Sequence, residues 1–306
     1  MLTDAPTMPI FWQLPMSPPI TFTLDLEDHR PDTTWPVRYD TIMRDVLDRL
    51  DERNIVGTIF VVGELAEAAP DLVREVAARG HEVALHSWRH IPLTDHTPES
   101  FTVETKRGKD VLEAITGEAC VGFRAPTYSL VRDSLFSVDV LGELGFSYSS
   151  SVLPGPNPLY GFPGAPRSPY LWPNGLVEFP GPLGGVGPLV VPYLGGTYLR
   201  LLPGPVVGMA RRIWGSHTAP WTYCHPYDFD TDEKFWWVPD AGRMAPLLWV
   251  GRKGLWKKLD RLLANGAGPP LRARLEEGTR GGVFDPLDPS SPGRHGGAPQ
   301  SRVKVA

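Results

Sequence analysis

Cysteine is almost missing: two in 306 residues, too few for a scaffold stapled by disulfides. Positive charge is not in excess either. Thirty Lys and Arg against 35 Asp and Glu leave a formal net charge of −5, which excludes the basic footprint of a protein whose main work is holding nucleic acid. No apolar run reaches the ~20 residues of a membrane span. The most apolar late stretch, 186–210, is broken by Gly195, Gly196, Arg200, Pro203 and Pro205. The opening residues lack a basic region, and prolines interrupt every apolar run before Ile20; no secretory leader is read, and the cytoplasm is the expected compartment. Glycine (32) and proline (34), by contrast, are abundant, so loops must be many or long. With 42% hydrophobic and 21% charged residues, the chain suits a globular fold of one large or two smaller domains.

The periodicities alternate along the chain. Thr21-Phe-Thr-Leu-Asp25 reads as a short strand, and Tyr39 to Arg53 carries a helical stripe of Ile42, Met43, Val46, Leu47 and Leu50. Val56 to Val62 is a nearly all-apolar run, as in a strand buried on both faces. Pro70 opens a helix that Gly80 closes, and Val83 to Leu85 is the next strand. Thr97-Pro98-Glu99 reads as an N-cap and acidic first turn of a helix ending at Gly117. Further strands are expected at Cys120–Phe123, Phe146–Tyr148, Leu176–Phe179 and Trp221–Cys224, with a helix from Asp133 to Gly145. This βαβα rhythm predicts an α/β fold, a mainly parallel sheet with outer helices. Residues 1–19 read as an irregular N-terminal segment, 153–175 as a Pro/Gly-rich excursion, and 266–306 as a disordered tail after a domain over 20–265.

Polar residues gather where the expected strands end: Asp25, Glu27 and Asp28, then His86 and His90, Arg124, Glu178 and His225. In parallel α/β folds, active sites form at the carboxyl ends of strands, so the scattered set is expected to converge. His86-Ser-Trp-Arg-His90 puts two imidazoles one helical turn apart. With one carboxylate from 25–28 they would make a three-ligand zinc-type site with an open position. A neighbouring carboxylate would take a proton from water, with Arg124 holding it ionised. His225 is the candidate proton donor to a leaving group, and Glu178 the candidate to orient its ring. Cys120 and Cys224 read as small buried hydrophobes. The late aromatics read mostly as packing, with some available to line a binding groove. Arg252-Lys-Gly-Leu-Trp-Lys-Lys258 is a basic, partly amphipathic run that could touch an anionic membrane peripherally.

The motifs Asp25-Leu-Glu-Asp28, His86-Ser-Trp-Arg-His90, Phe123-Arg-Ala-Pro-Thr-Tyr128, Leu176-Val-Glu-Phe-Pro180 and Tyr223-Cys-His-Pro226, spread over roughly residues 20–230, resemble the NodB-type polysaccharide deacetylases, carbohydrate esterase family 4. Tyr148-Ser-Ser-Ser151, Tyr160-Gly-Phe-Pro163 and 195–203 are similar to its exopolysaccharide-associated subgroup. The resemblance implies a distorted (β/α)7 barrel and metal-dependent removal of N-acetyl groups from N-acetylated saccharides. It makes Asp28, His86 and His90 the ligands of a divalent metal, zinc being the expected ion. Asp25 or Glu27 becomes the base, with Asp25 preferred. Branches of the family with an Asp-x-Asp motif would instead pair Asp25 as base with residue 27 as ligand. Arg124 would buttress the base, the Tyr128 backbone N–H would meet the oxyanion, and His225 would be the general acid. The family's fourth motif is poorly matched, with Trp172 or Glu178 as its stand-in. Hydrolysis of a cyclic imide or ureide on the same barrel, and glycan binding without turnover, are the alternative functions.

Overall fold

The alternation of Thr21, Thr23 and Asp25 with Phe22, Leu24 and Leu26 sorts the first strand, β1 (Thr23–Leu26), into two faces. Successive side chains of a strand point to opposite sides. Phe22, Leu24 and Leu26 join the large core under the helices, whereas the threonines and Asp25 point the other way. The same parity runs through β2 (Thr58–Val61) and β3 (Glu82–Leu85). Ile59, Val61, Val83 and Leu85 pack outward, while Phe60 and Ala84 belong to a second, inner cluster with Tyr148, Phe179, Trp221 and Tyr223. The computed structural model describes residues 18–157, 159–186, 189–215 and 219–287.

β1, β2, β3, β4 (Gly122–Phe123) and β5 (Tyr148–Ser149) are parallel neighbours in chain order. β6 (Tyr170–Leu171) pairs antiparallel with β7 (Val177–Glu178), which lies parallel to β5. On the free edge of β1, residues 220–224 pair in parallel: Asp25 N–H donates to Cys224 O (2.8 Å) and Thr222 N–H to Thr21 O (2.9 Å). Arg124, at the end of β4, lies over both Phe60 on β2 and Trp221 on that far edge. The wall thus curls round its inner cluster, the mostly parallel α/β arrangement with outer helices expected from the sequence. A separate two-stranded sheet joins β8 (Leu183–Val186) to β9 (Leu189–Pro192).

The helices expected near 39–53, 70–80, 97–117 and 133–145 are present. α1 (Tyr39–Asp51) buries Met43, Val46, Leu47 and Leu50. α2 (Gly63–Ala68) and α3 (Pro70–Ala78) follow. α4 (Pro98–Thr116) has Thr97 and Ser100 in a reciprocal capping box and Gly117 in the left-handed conformation at its end. α5 (Phe136–Glu143) starts after a tight turn at Arg132–Ser134. Beyond the excursion come α6 (Gly196–Leu201), α7 (Gly204–Trp214), the short α8 (Pro226–Phe229) and α9 (Leu255–Leu262).

The expected disordered tail is corrected over its first part. α10 (Leu271–Gly281) and β10 (Asp285–Pro286, parallel to β6) are ordered. Polar anchoring is the reason, and hydrophobic periodicity does not register it. Leu271 N–H donates to Thr58 Oγ1 (2.9 Å), Arg272 N–H to Glu82 Oε2 (2.9 Å), and Arg274 Nε to Thr21 Oγ1 (2.5 Å). Leu271 itself is fully buried. Residues 288–306, and 1–17 of the expected N-terminal segment, lie outside the described residues.

Candidate active site

The inward parity of β1 continues one step past its end, so Thr23, Asp25 and Glu27 share a face and Asp28 falls on the other. Asp25 is 5% exposed. Arg124 Nη1 donates to its Oδ1 at 2.5 Å and to Thr23 Oγ1 at 2.9 Å, while Nη2 donates to Ser150 Oγ at 3.1 Å. Both members of the Arg124–Asp25 pair are nearly sealed from water. Arg124 also works through its backbone: its carbonyl accepts the His86 Nδ1–H at 2.9 Å. That bond fixes the tautomer and leaves the Nε2 lone pair aimed inward. Burial pulls the His86 imidazole down to about 4, so it is neutral, as a ligand must be.

His90 faces the same space, but not by way of a helix. Residues 86–90 form an irregular turn in which Ser87 (φ 60°) and His90 (φ 57°) are left-handed, and His90 N–H donates to Ser87 Oγ at 2.9 Å. The rings of His86 and His90 stand 5.0 Å apart, and His90 Nε2 lies 2.8 Å from Glu27 Oε2. Burial alone would raise the Glu27 carboxyl, but His90, His225 and His86 outweigh it and hold the group well below the usual carboxylate range. Glu27, His86 and His90 each offer a ligand atom within 4.8 Å of the others. Two imidazoles and a carboxylate, with one tautomer already set by a backbone carbonyl, fit a borderline divalent cation.

The expectation of Asp28 as a ligand differs from what the structure brings together. Asp28 is turned outward, where Arg30 grips it with Nε (2.8 Å) and Nη2 (2.6 Å). It caps its own turn by accepting the Arg30 N–H. Strand parity separates it from the histidines.

His225 follows the strand-like segment 220–224 and caps α8. Its Nδ1–H donates to Asp228 Oδ2 at 2.9 Å, and its backbone N–H reaches the same oxygen. Its Nε2 lies 3.9 Å from Asp25 Oδ2 and 4.0 Å from Glu27 Oε1. Burial opposes protonation, yet Glu27, Asp228 and Asp25 together push His225 up to about 9. Behind it, Asp228 and Arg200 form an ion pair (2.8 Å) with neither side chain exposed. Arg200 Nη1 also donates to the carbonyls of Leu248 and Val250. The Tyr227 ring stacks on His225 (4.6 Å, 7°) and meets His29 on its other side (4.2 Å).

Asp228 and Arg200 escaped the sequence reading. The signal for Asp228 is His225-Pro-Tyr-Asp228, an acidic residue three positions after a helix cap with proline between. Glu178, the expected partner of the His225 ring, is instead buried against Ser151 N–H (2.7 Å), Val152 N–H (2.8 Å) and Trp172 Nε1 (3.3 Å). It anchors the turn after β5, and Trp172 packs in the core beside it. Tyr128 sits near the inner aromatics Trp221 and Tyr223. With Thr127 it forms two successive left-handed residues (φ 53° and 59°), a strained turn at the edge of the site. A cavity of about 310 Å³ opens beside Glu27, walled by Trp35, Tyr39, Tyr227 and Lys234 among others.

Residues 28–148 match the family described as Polysaccharide deacetylase, and residues 150–267 match the Domain of unknown function (DUF3473). A peptidoglycan-N-acetylglucosamine deacetylase of Bacillus cereus is 27% identical over 90 residues, 29% of this chain and 33% of that protein. The chain spans about a third of the length of the first curated relatives it matches. A solved Mycobacterium smegmatis protein, provisionally named a polysaccharide deacetylase, superposes with a TM-score of 0.58 at 21% identity, covering 90% of this chain and 97% of the other. Puue allantoinase gives 0.57 at 14% identity, over 92% and 99%. At these identities the two structures speak for a shared fold alone.

Proposed function

The chain belongs to the polysaccharide deacetylase family, and from that premise we propose that it is a metal-dependent hydrolase removing N-acetyl groups from N-acetylhexosamine units of a polysaccharide or saccharide precursor. One observation carries this reading. A ligand set (Glu27, His86, His90), a clamped carboxylate (Asp25) and a clamped imidazole (His225) converge at one end of the barrel wall. An amide hydrolase needs these three functions side by side. We assign the ligand role to Glu27 in place of Asp28.

A zinc-class cation held by Glu27, His86 and His90 would polarise the acetyl carbonyl and acidify the attacking water. Asp25 takes a proton of that water, and its buried contact with the Arg124 guanidinium keeps it aimed. His225, fixed through Nδ1 by Asp228, turns Nε2 toward the leaving nitrogen and supplies its proton. The Tyr128 N–H, presented by its left-handed turn, serves the developing oxyanion. The sugar enters from the cavity beside Glu27, where Trp35 in the wall offers a flat face to pyranose C–H groups.

The test is acetate release from N-acetylglucosamine oligosaccharides by wild type and His86→Ala. Release that disappears in the variant supports the reading. Ring opening of a cyclic ureide with no acetate from any saccharide would replace it with the alternative chemistry, and oligosaccharide binding without turnover would make the chain a glycan-binding module.

A further inference from the structure

The turn that follows Glu27 is tied down by its own side chains. Arg30 Nη1 donates to Trp35 O at 3.1 Å, and Asp32 Oδ1 accepts the Thr34 N–H at 2.8 Å. These bonds fix where the Trp35 indole stands, in the wall of the cavity beside Glu27. Tryptophan is a residue that packing usually claims, because so much of its surface is apolar. Trp35 is half-buried, yet it belongs to neither apolar cluster, and among the described residues no ring or cation packs on it. An aromatic face left over in a cavity wall is available to a ligand.

His29 lines the same cavity and is held from behind. Its Nδ1–H donates to Glu233 Oε1 at 2.8 Å, and Glu233 Oε2 accepts from Arg252 Nη1 at 2.8 Å. Arg252 is itself buried, with Nε on Leu248 O (2.8 Å) and Nη1 also on Asp230 O (2.9 Å). The rings of Tyr227, Trp236 and Trp249 surround the imidazole, with centroids 4.2, 5.1 and 5.6 Å away. One nitrogen is therefore spent on Glu233 and the ring cannot swing. Nε2 has no partner among the described residues. In a residue that lines a cavity, that nitrogen is left for a ligand. The catalytic steps do not use it, since the Tyr227 ring stands between His29 and His225.

The charges of the cavity cancel in pairs. Arg30 is held by Asp28, and Arg38 Nη2 donates to Asp230 Oδ1 at 2.7 Å. That leaves the exposed Asp232 and Lys234, one charge of each sign. A nucleotide diphosphate would bring two negative charges into a lining with no surplus of cations. A neutral sugar needs a flat apolar face and a hydrogen-bonding group, and both are present. We propose that this cavity is the subsite for the sugar next to the reacting N-acetylhexosamine, and that His29 and Trp35 set specificity there. The indole stacks on the neighbour's C–H face, and His29 Nε2 exchanges a hydrogen bond with one of its hydroxyls. The substrate is then a glycosidically linked chain of neutral sugars and not a nucleotide-activated monosaccharide, an assignment that rests on the hydrolase reading above.

The test is kcat/KM for acetate release by the metal-loaded full chain from N-acetylglucosamine, its β-1,4-linked tetramer and uridine diphosphate N-acetylglucosamine. The tetramer is expected to exceed the monosaccharide by about tenfold or more, and the nucleotide sugar to do no better than the monosaccharide. His29→Ala and Trp35→Ala each lower the tetramer-to-monosaccharide ratio by about fivefold, the worth of one such contact. Trp35→Phe, which keeps a flat face, retains most of the ratio. A wild-type ratio near one, a ratio that both alanine variants leave in place, or a preference for the nucleotide sugar overturns the subsite and leaves the hydrolase reading standing. No acetate from any of the three refutes the hydrolase reading instead, and tetramer binding followed by tryptophan fluorescence then decides the subsite. Affinity lowered about fivefold in His29→Ala supports it; no binding, or affinity unchanged in both alanine variants, overturns it.

Discussion

Replacing Arg124 with methionine leaves Asp25 charged, 5% exposed and without its partner. The guanidinium also bonds Thr23 Oγ1 and Ser150 Oγ and lies 3.8 Å from the Phe60 ring centroid and 4.2 Å from that of Trp221. Breaking a buried ion pair by removing one member costs about 3–5 kcal/mol, because the remaining charge is left in a poor solvent. For a domain of this size that is a fall in melting temperature of roughly 6–20 °C. Removing both charges should be far milder, since a buried pair replaced by neutral groups is often near neutral. The assay is urea unfolding followed by tryptophan fluorescence, on wild type, Arg124→Met, Asp25→Asn and the double variant. A coupling energy of about 2 kcal/mol or more is expected between the two sites. If Arg124→Met unfolds within about 0.5 kcal/mol of wild type, or the two substitutions simply add, the pair is not the buried clamp described here. Arg124→Lys would not rescue it, since a single ammonium cannot reach three acceptors from one plane.

Three further outcomes follow from the geometry. Asp228→Asn should lower the turnover of acetate release by about 100-fold or more, the usual worth of a general acid, while bound metal stays unchanged; equal loss of metal would move Asp228 into the ligand system. His81 accepts the Gly57 N–H through Nδ1, and burial lowers its pKa from 6.5. The unfolded chain therefore binds the proton first, and this residue's contribution is present above about pH 6.5 and lost as pH falls below it. Melting temperatures measured between about pH 7.5 and 5.5 should fall more steeply for wild type than for His81→Gln. At Gly195 an added Cβ would stand 2.0 Å from Tyr223 O, so Gly195→Ala must push α6 off the segment leading to His225. It should cost about 1–3 kcal/mol by urea unfolding, and a neutral result would mean that contact is loose.

Much of this arrangement is legible in the sequence because it rests on short-range patterns. The Thr–Phe–Thr–Leu–Asp alternation gives both faces of β1, and Thr97 and Gly117 bracket α4 as local chemistry predicts. His86, His90, Arg124 and His225 each lie just after a strand or a strand-like edge, so a parallel topology gathers them without any knowledge of distances. Parity also bears on the proposed choice of Glu27 over Asp28: counting in twos from Thr23 reaches Asp25 and Glu27, whereas adjacency alone reaches Asp28. Long-range polar bonds leave no such trace. α10 is held by Thr58, Glu82 and Thr21, residues about 190 to 250 positions away. Arg200 reaches Asp228 across a separate helix, and Glu178 looks like an active-site acid because nothing local shows the Ser151 and Val152 amides it serves.

The central claim is that Glu27, His86 and His90 hold a catalytic cation. Its most direct test is zinc per chain and zinc affinity for wild type, Glu27→Gln, Asp28→Asn and His86→Ala, prepared in parallel. About one ion per chain is expected in wild type and in Asp28→Asn, with affinity lowered more than about 100-fold in the other two. Zinc retained by Glu27→Gln and lost from Asp28→Asn would contradict it.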